Sequence, residues 1–124
     1  QILSQALYSF DLSIFSLYPS LTTGGTLVSL SRDETTNFKL LFERLNSTVI
    51  NTWISTPSFV DICLLDPSFT EKEHPQLVQF ILCGEELTKK TAEKLLTAFP
   101  SANIYNTYGP TEATGAILSV KITK

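Results

Sequence analysis

Apolar residues recur at helical spacing in three stretches of this chain. Within each stretch they stand three or four positions apart, which places them on one side of an α-helix. The three sets are Ile14, Leu17, Tyr18 and Leu21; Phe38, Leu41, Phe42 and Leu45; and Ala92, Leu95, Leu96 and Phe99. We therefore predict three amphipathic helices that pack their apolar sides against a core.

Capping residues indicate where these helices begin and end. Asp11 or Ser13 can cap the first helix, and Gly24 can supply the left-handed residue at its end. Thr88 is the expected N-cap of the third helix. Thr56-Pro57 predicts a fourth, short helix, because proline is well accommodated at the first helical position.

Five shorter stretches rich in apolar, β-branched or aromatic residues are predicted as strands. They are residues 26–30, 49–54, 77–83, 103–105 and 116–122. Helices and strands therefore alternate, which predicts an α/β fold with a mostly parallel sheet flanked by helices. Ligands of such sheets bind beyond the carboxyl ends of the strands. Two polar segments, 84–86 and 106–112, follow strands and are expected to face one crevice.

Residues 106–114 form a polar stretch that we predict to be a loop between two strands. Within nine residues it contains several hydroxyls, the aromatic ring of Tyr108, a Gly109-Pro110 break and the carboxylate of Glu112. These groups suit a base, a sugar and a metal-bound phosphate. Gly-Pro and threonine clusters are also ordinary turn chemistry, so a surface turn is the alternative.

Composition narrows the class of protein. A chain of 124 residues with 43% hydrophobic and 17% charged residues is typical of one globular domain. The net charge of -3 and the lack of a basic cluster argue against nucleic-acid binding. No apolar run approaches the roughly 20 residues of a transmembrane helix. Cys63 and Cys83 lie outside any CxxC pair, which favours buried thiols in a reducing compartment such as the cytoplasm.

Residues 106–112, Asn-Thr-Tyr-Gly-Pro-Thr-Glu, resemble the adenine- and magnesium-binding motif of the adenylate-forming enzymes. This superfamily includes acyl-CoA synthetases, luciferases and the adenylation domains of peptide synthetases. Four further segments resemble family motifs in the same order: residues 10–13, 24–27, 56–58 and 83–87. The likeness is to members that activate D-alanine with ATP and load it onto a carrier protein. It implies that residues 1–124 are one α/β fragment of the large N-terminal domain.

The resemblance implies an amino-acid site. Asp11 would pair with the ammonium group of the substrate, and Cys83 would lie beside its methyl group. Gly115 stands where related ligases have a small apolar residue such as valine, which leaves strict D-alanine selectivity open. The alternatives are a helix N-cap for Asp11 and a core cysteine for Cys83.

The resemblance also implies a nucleotide site, with Tyr108 stacked on adenine. Thr111 would hydrogen-bond the α-phosphate and Glu112 would hold Mg²⁺. For Glu85 and Glu86, the alternative is that they are solvated charges. The other residues implied to surround the nucleotide are Gly84, Glu85, Glu86, Asn106, Thr107, Gly109 and Pro110.

The implied reaction is adenylation followed by thioester formation on the phosphopantetheine thiol of a carrier protein, without a covalent protein nucleophile. The phosphate loop, ribose-binding aspartate and catalytic lysine of the superfamily do not occur in these 124 residues, and residue 1 is not Met. We therefore expect a catalytically inactive piece of a longer chain. Trp53 and Phe59 are expected in the core and His74 on the surface. A peptide-synthetase adenylation domain and a non-catalytic nucleotide-binding module are alternatives.

Overall fold

A six-stranded sheet organises the computed structural model, which describes residues 1–113 and 115–123. The strand order is β2-β1-β3-β4-β5-β6, in which the first five strands are parallel and β6 is antiparallel to β5. The predicted α/β fold with a mostly parallel sheet is therefore confirmed. The strands are β1 (Ile2–Ser4), β2 (Leu27–Ser29), β3 (Thr52–Ser55), β4 (Gln79–Leu82), β5 (Asn103–Tyr108) and β6 (Leu118–Ile122).

The four predicted helices are present. Gly24 ends the first of them with φ of 67°, as its position in the sequence predicts. The side chains of Thr56 and Thr88 accept hydrogen bonds from the backbone amides of Phe59 and Thr91, so both are N-caps. The helices are α1 (Ile14–Thr23), α2 (Arg32–Thr36), α3 (Phe38–Ser47), α4 (Pro57–Cys63) and α5 (Lys89–Ala98), with 3₁₀ turns at Asp11–Ser13 and Thr111–Ala113.

The predicted capping of α1 by Asp11 or Ser13 is wrong. The chain enters α1 through the 3₁₀ turn, so Ser13 already has helical dihedral angles and its side chain caps no amide. The Ser13 hydroxyl donates instead to the carbonyl of Phe10 at 2.7 Å. The carboxylate of Asp11 is thereby left available for another partner.

Two elements escaped the sequence analysis. β1 has only three residues, too few to show a period, yet it lies between β2 and β3 in the sheet. α2 is held by a capping box in which the amide of Glu34 donates to Ser31 Oγ and the amide of Ser31 donates to Glu34 Oε2. The Ser-x-x-Glu pattern of such a box is visible in the sequence.

The prediction of a loop over residues 106–114 is wrong at its start. β5 continues to Tyr108, because this half of the strand pairs with β4 at Asn106 and with β6 as far as Leu118. A hydrogen bond of 2.9 Å from the amide of Ile117 to the carbonyl of Tyr108 extends that pairing. The connection is thus shorter and begins at Gly109, while Thr114, the last residue of the predicted loop, lies outside the described residues.

Helices cover the sheet on both sides. On one side, the ring of Trp53 is completely buried and lies 5.9 Å from the ring of Phe59. The expected core positions of both residues are therefore confirmed. On the other side, Leu12, Ile54 and Cys83 form a smaller cluster. Since β1 anchors α1 on that side through a buried hydrogen bond from Ser16 to Ser4, the entrance to α1 is held close to the strand ends.

Candidate functional site

A cavity of about 940 Å³ opens at the carboxyl edge of the parallel strands. Residues that directly follow β1, β3 and β4 line it, namely Gln5, Thr56 and Cys83. Two connections complete its walls: the entrance to α1 with Asp11, and the segment after β5 with Thr111. Parallel strands thus converge on one site, as the fold predicts.

Asp11 and Thr111 are in direct contact in this cavity. The hydroxyl of Thr111 donates a hydrogen bond of 2.7 Å to Asp11 Oδ2. Asp11 is partly buried and Thr111 is exposed, so the pair lies at the boundary between protein and solvent. The residues implied to hold the ammonium and the α-phosphate are therefore neighbours, and their roles toward ligands stay predictions.

Cys83 and Gly115 form a second contact in the same cavity. The Cys83 thiol donates a hydrogen bond of 3.6 Å to the carbonyl oxygen of Gly115, and Cys83 is only 5% exposed to solvent. Cys83 is consequently both a core residue and a lining residue, so its two interpretations are compatible. Gly115 has φ of 77°, and a Cβ there would lie 3.0 Å from the Phe15 ring and 3.4 Å from Asp11 Oδ2.

A further cavity of about 510 Å³ lies between two polar segments. One of them directly follows β4, and the other is the end of β5. The expectation that both segments face one crevice is confirmed. Asn106 Oδ1 is buried and accepts no hydrogen bond from the described residues. The side chain of Tyr108 is 66% exposed. An unpaired acceptor and an open aromatic face are suited to a planar ligand with an amino group.

Two other residues of this cavity already have protein partners. Thr107 donates its hydroxyl hydrogen to the carbonyl of Leu82 at 3.0 Å. Glu85 is exposed, but its Oε2 accepts a hydrogen bond of 3.1 Å from the amide of Ser58 at the start of α4. Thr107 therefore joins β5 to β4, and Glu85 joins the segment after β4 to α4, whereas Glu86 is an exposed charge.

Gly109 and Pro110 bring the chain back toward β6. A Cβ at Gly109 would lie 2.6 Å from Ala116 Cα, so the close approach of the two backbones requires glycine. Glu112 then lies exposed in the second 3₁₀ turn. The described residues contain no cluster of three or more metal-binding side chains. A carboxylate is of the ligand type that Mg²⁺ prefers, and this ion takes most of its other ligands from phosphates and water, so the role of Glu112 as a magnesium ligand stays a prediction.

The sequence analysis missed several polar residues that line the larger cavity, among them Gln5 and Arg32. Gln5 follows β1, and its Oε1 is buried without a hydrogen-bond donor among the described residues. Arg32 follows β2 at the start of α2. Both obey the rule that ligand-facing residues follow the carboxyl ends of parallel strands. Recognition of the short β1 would have indicated Gln5, and the capping box would have indicated Arg32.

The thiol of Cys63 takes no part in this site. It lies completely buried in the larger core cluster, and burial raises its pKa to about 12. A thiol with this pKa is protonated at neutral pH and is a poor nucleophile. The structure also contains, in the part of the chain that it describes, no helix with the length and apolarity of a membrane span.

Comparison with known proteins defines the class. The model of the AMP-binding enzyme family matches residues 1–124, so the chain belongs to this family. Over all of its length it is 98% identical to a D-alanine–D-alanyl carrier protein ligase of Lactococcus lactis subsp. lactis (strain IL1403), of which it covers 25%. It is 55% identical to the ligase of the same name from Lacticaseibacillus rhamnosus over 98% of the chain and 24% of that protein.

Solved structures agree with this family. A four-domain nonribosomal peptide synthetase bound to AMP and glycine is 31% identical to the chain with a TM-score of 0.85. The match covers 99% of this chain and 9% of that protein. The chain spans about a quarter of the length of the curated relatives it matches.

Proposed function

We propose that residues 1–124 are the central α/β part of the AMP-binding domain of an ATP-dependent ligase. The parent enzyme activates D-alanine as D-alanyl-AMP and transfers it to the phosphopantetheine thiol of a D-alanyl carrier protein. Identity of 98% to a ligase with that name supports this proposal. The isolated chain is catalytically inactive, because the phosphate loop and the lysine of the superfamily lie outside it.

The observation that carries the proposal is the contact between Asp11 and Thr111. In this arrangement Asp11 holds the ammonium of the amino acid by a charge-assisted hydrogen bond, which a fatty acid could not form. Thr111, 2.7 Å away, holds the α-phosphate. The contact supports a site in which an amino acid and the reacting phosphate of ATP are bound side by side, as adenylation requires.

The other walls of the larger cavity support a small side chain. Cys83 packs beside the substrate methyl group, and its thiol is held in place by the carbonyl of Gly115. Gly115 leaves open the space next to Asp11 that a Cβ would occupy. The part of the cavity beside Asp11, Cys83 and Gly115 therefore favours alanine and tolerates a slightly larger D-amino acid such as D-serine.

The smaller cavity holds the adenine. Tyr108 stacks on the base, and Asn106 Oδ1 accepts a hydrogen bond from its amino group, which satisfies a buried oxygen that has no donor in the described part of the chain. Gly84 and Glu85 close the other side, while Gly109 and Pro110 shape the bend toward Thr111. Thr107 supports the site indirectly by joining β5 to β4.

Two displacements complete the reaction. A carboxylate oxygen of D-alanine attacks the α-phosphorus, the bond to the bridging oxygen breaks, and pyrophosphate leaves. The carrier thiolate then attacks the acyl carbon and AMP leaves. Glu112 would hold Mg²⁺, which supplies positive charge to the phosphates. The protein groups act by alignment and charge stabilisation, consistent with the unreactive thiol of Cys63.

The proposed setting is the cytoplasm of a Gram-positive bacterium, where the D-alanyl carrier protein receives the D-alanine that later esterifies lipoteichoic acid. The components are a soluble amino acid, ATP and a carrier protein, with no role for nucleic acid. The acidic balance of the chain, with a net charge of -3, agrees with the absence of a nucleic-acid ligand.

The decisive experiment is ATP–pyrophosphate exchange by the full-length parent with D-alanine, L-alanine, glycine and D-serine. We expect exchange to be fastest with D-alanine, weaker with D-serine and slow with the other two. A preference for L-alanine or glycine would contradict the proposed substrate. Turnover by the 124-residue chain alone would contradict its proposed inactivity.

An adenylation domain of a nonribosomal peptide synthetase is the second candidate, favoured by 31% identity to such a protein bound to AMP and glycine. The acceptor separates the two candidates. Transfer of the activated amino acid to a free-standing D-alanyl carrier protein supports the ligase, whereas transfer only to a carrier domain of a multidomain synthetase supports the alternative. A non-catalytic nucleotide-binding module would show neither exchange nor transfer.

A further inference from the structure

The proposed function leaves one charged residue of the larger cavity without a role. Arg32 lines the wall formed by the connection after β2, together with Thr35 and Thr36. Asp11 and Cys83 belong to the wall formed by the entrance to α1 and the segment after β4. One cavity is thus lined by an acidic residue at the proposed amino-acid site and by Arg32, an exposed basic residue, on another wall.

Arg32 has no acidic partner in the described part of the chain. None of the ion pairs found among residues 1–113 and 115–123 includes it. The carboxylate of Glu34, which belongs to the same helix, is occupied by the amide of Ser31 at 2.6 Å and by the guanidinium of Arg44 at 3.5 Å. These contacts also lower the pKa of Glu34, so it stays ionised and bound to them. The positive charge of Arg32 is therefore available to a ligand.

The backbone under Arg32 is firmly placed. The capping box of Ser31 and Glu34 fixes the first turn of α2. The hydroxyls of Thr35 and Thr36 each donate a hydrogen bond of 2.9 Å to the carbonyl of Arg32. With their hydrogens engaged, these hydroxyls can still accept hydrogen bonds from amide groups of a ligand. The wall thus offers a cation and two acceptors in one turn.

The cavity is far larger than one amino acid. Its volume of about 940 Å³ lies near the upper end of the roughly 300–1,000 Å³ of ligand sites in proteins, whereas alanine has only six heavy atoms. The lining shared by the two walls is apolar, with Leu7, Phe10 and Leu30. A slender chain with amide groups, an apolar part and an anionic group is suited to these walls.

We propose that Arg32 binds the phosphate of the phosphopantetheine arm of the carrier protein and thereby directs its thiol toward the activated amino acid. This inference rests on the proposed function. The guanidinium forms charge-assisted, bidentate hydrogen bonds with phosphate oxygens, a geometry that lysine cannot reproduce. Arg32 is a positioning residue: the thiol releases its proton to solvent, the resulting thiolate forms its bond to the acyl carbon while the bond to AMP breaks, and Arg32 takes up no proton.

The test compares two steps and two acceptors in the full-length parent. Arg32→Gln, with Lys39→Gln on the outside of α3 as the matched control, is assayed by D-alanine-dependent ATP–pyrophosphate exchange. Thioester formation is then measured with phosphopantetheine and with pantetheine, which lacks the phosphate. We expect Arg32→Gln to lower kcat/KM for phosphopantetheine about tenfold and to leave both pantetheine transfer and exchange unchanged. Arg32→Lys should restore only part of the loss.

Three results would overturn the inference. Equal losses with both acceptors would show that the phosphate is not recognised. A raised KM for D-alanine in the exchange assay would show that Arg32 pairs with the carboxylate of the amino acid. If Arg32→Gln lowered the thermal stability and Arg32→Lys restored that stability fully, Arg32 would have a structural role. Absence of exchange by the unsubstituted parent would instead overturn the proposed function, and this result is distinguishable from the other three.

Discussion

The carboxylate of Asp11 accepts a hydrogen bond of 2.7 Å from the hydroxyl of Thr111, although the two residues are 100 positions apart in the chain. Without ligands, each group therefore satisfies the other. Under the proposed function, an ammonium group competes for Asp11 and a phosphate competes for Thr111. Either ligand weakens the contact and releases the group that the other ligand needs, so binding of D-alanine and ATP should be coupled.

Removal of the charge of Asp11 should impair activation of the amino acid. In the full-length parent, we expect Asp11→Asn to lower kcat/KM for D-alanine in the exchange assay about 100-fold, because a charge-assisted hydrogen bond to the ammonium is lost. Glu43→Gln, on the exposed side of α3, is the matched control. Unchanged activation by Asp11→Asn would show that the ammonium binds elsewhere.

Gly109 should tolerate no side chain. A Cβ there would lie 2.6 Å from Ala116 Cα and 2.8 Å from two backbone nitrogens, so Gly109→Ala must push the two backbones apart. We expect a loss of about 1–3 kcal/mol in the free energy of unfolding and a raised KM for ATP. Urea denaturation and exchange kinetics measure the two effects. In Gly25→Ala, the new Cβ would lie 3.2 Å from Thr23 Oγ1 and 3.6 Å from Ser20 Cα, so the crowding is milder and the loss should be smaller.

Gly115 should control both stability and selectivity. Its φ of 77° is unfavourable for other residues, and a Cβ would press on the Phe15 ring at 3.0 Å. We expect Gly115→Ala to cost about 1–2 kcal/mol and to reduce exchange with D-serine more than with D-alanine, because the methyl group narrows the space beside Asp11. Equal reductions for the two amino acids would place this methyl group outside the substrate pocket.

His74 should make stability depend on pH. Its ring packs against Phe69 with the centroids 5.4 Å apart, and burial lowers its pKa below 6.5 despite the opposing charges of Asp66 and Glu73. The unfolded state therefore binds the proton more readily. The contribution of neutral His74 is complete above pH 6.5 and is lost as the pH falls through its folded pKa.

Urea denaturation of the 124-residue chain above and below pH 6.5 checks this expectation, with His74→Gln as the comparison. The substitution should flatten the pH dependence in the range just below 6.5. An identical pH profile for the two proteins would contradict it. The expected surface position of His74 is only partly correct, because its ring is half-buried against the core.

Local patterns predicted the helices well because each pattern contains its own physical cause. Thr88 caps α5 through a residue only three positions away, and Gly24 ends α1 within the same turn. Asp11 shows the opposite case. Its sequence neighbourhood suggested a cap, whereas its carboxylate is used by a residue on a distant segment. Contacts of this kind depend on the path of the whole chain, which spacing alone does not report.

By itself, the sequence determined the mostly parallel α/β architecture, the short helix at Thr56-Pro57 and the placement of two polar segments after strands, since these depend on period, capping and chain order. Only the tertiary structure decided the extension of β5 to Tyr108, the central place of β1 and the presence of Arg32 in the cavity. The physical reason is that strand pairing and cavity walls are made by residues far apart in the chain, and their energies are set by neighbours that no local window contains.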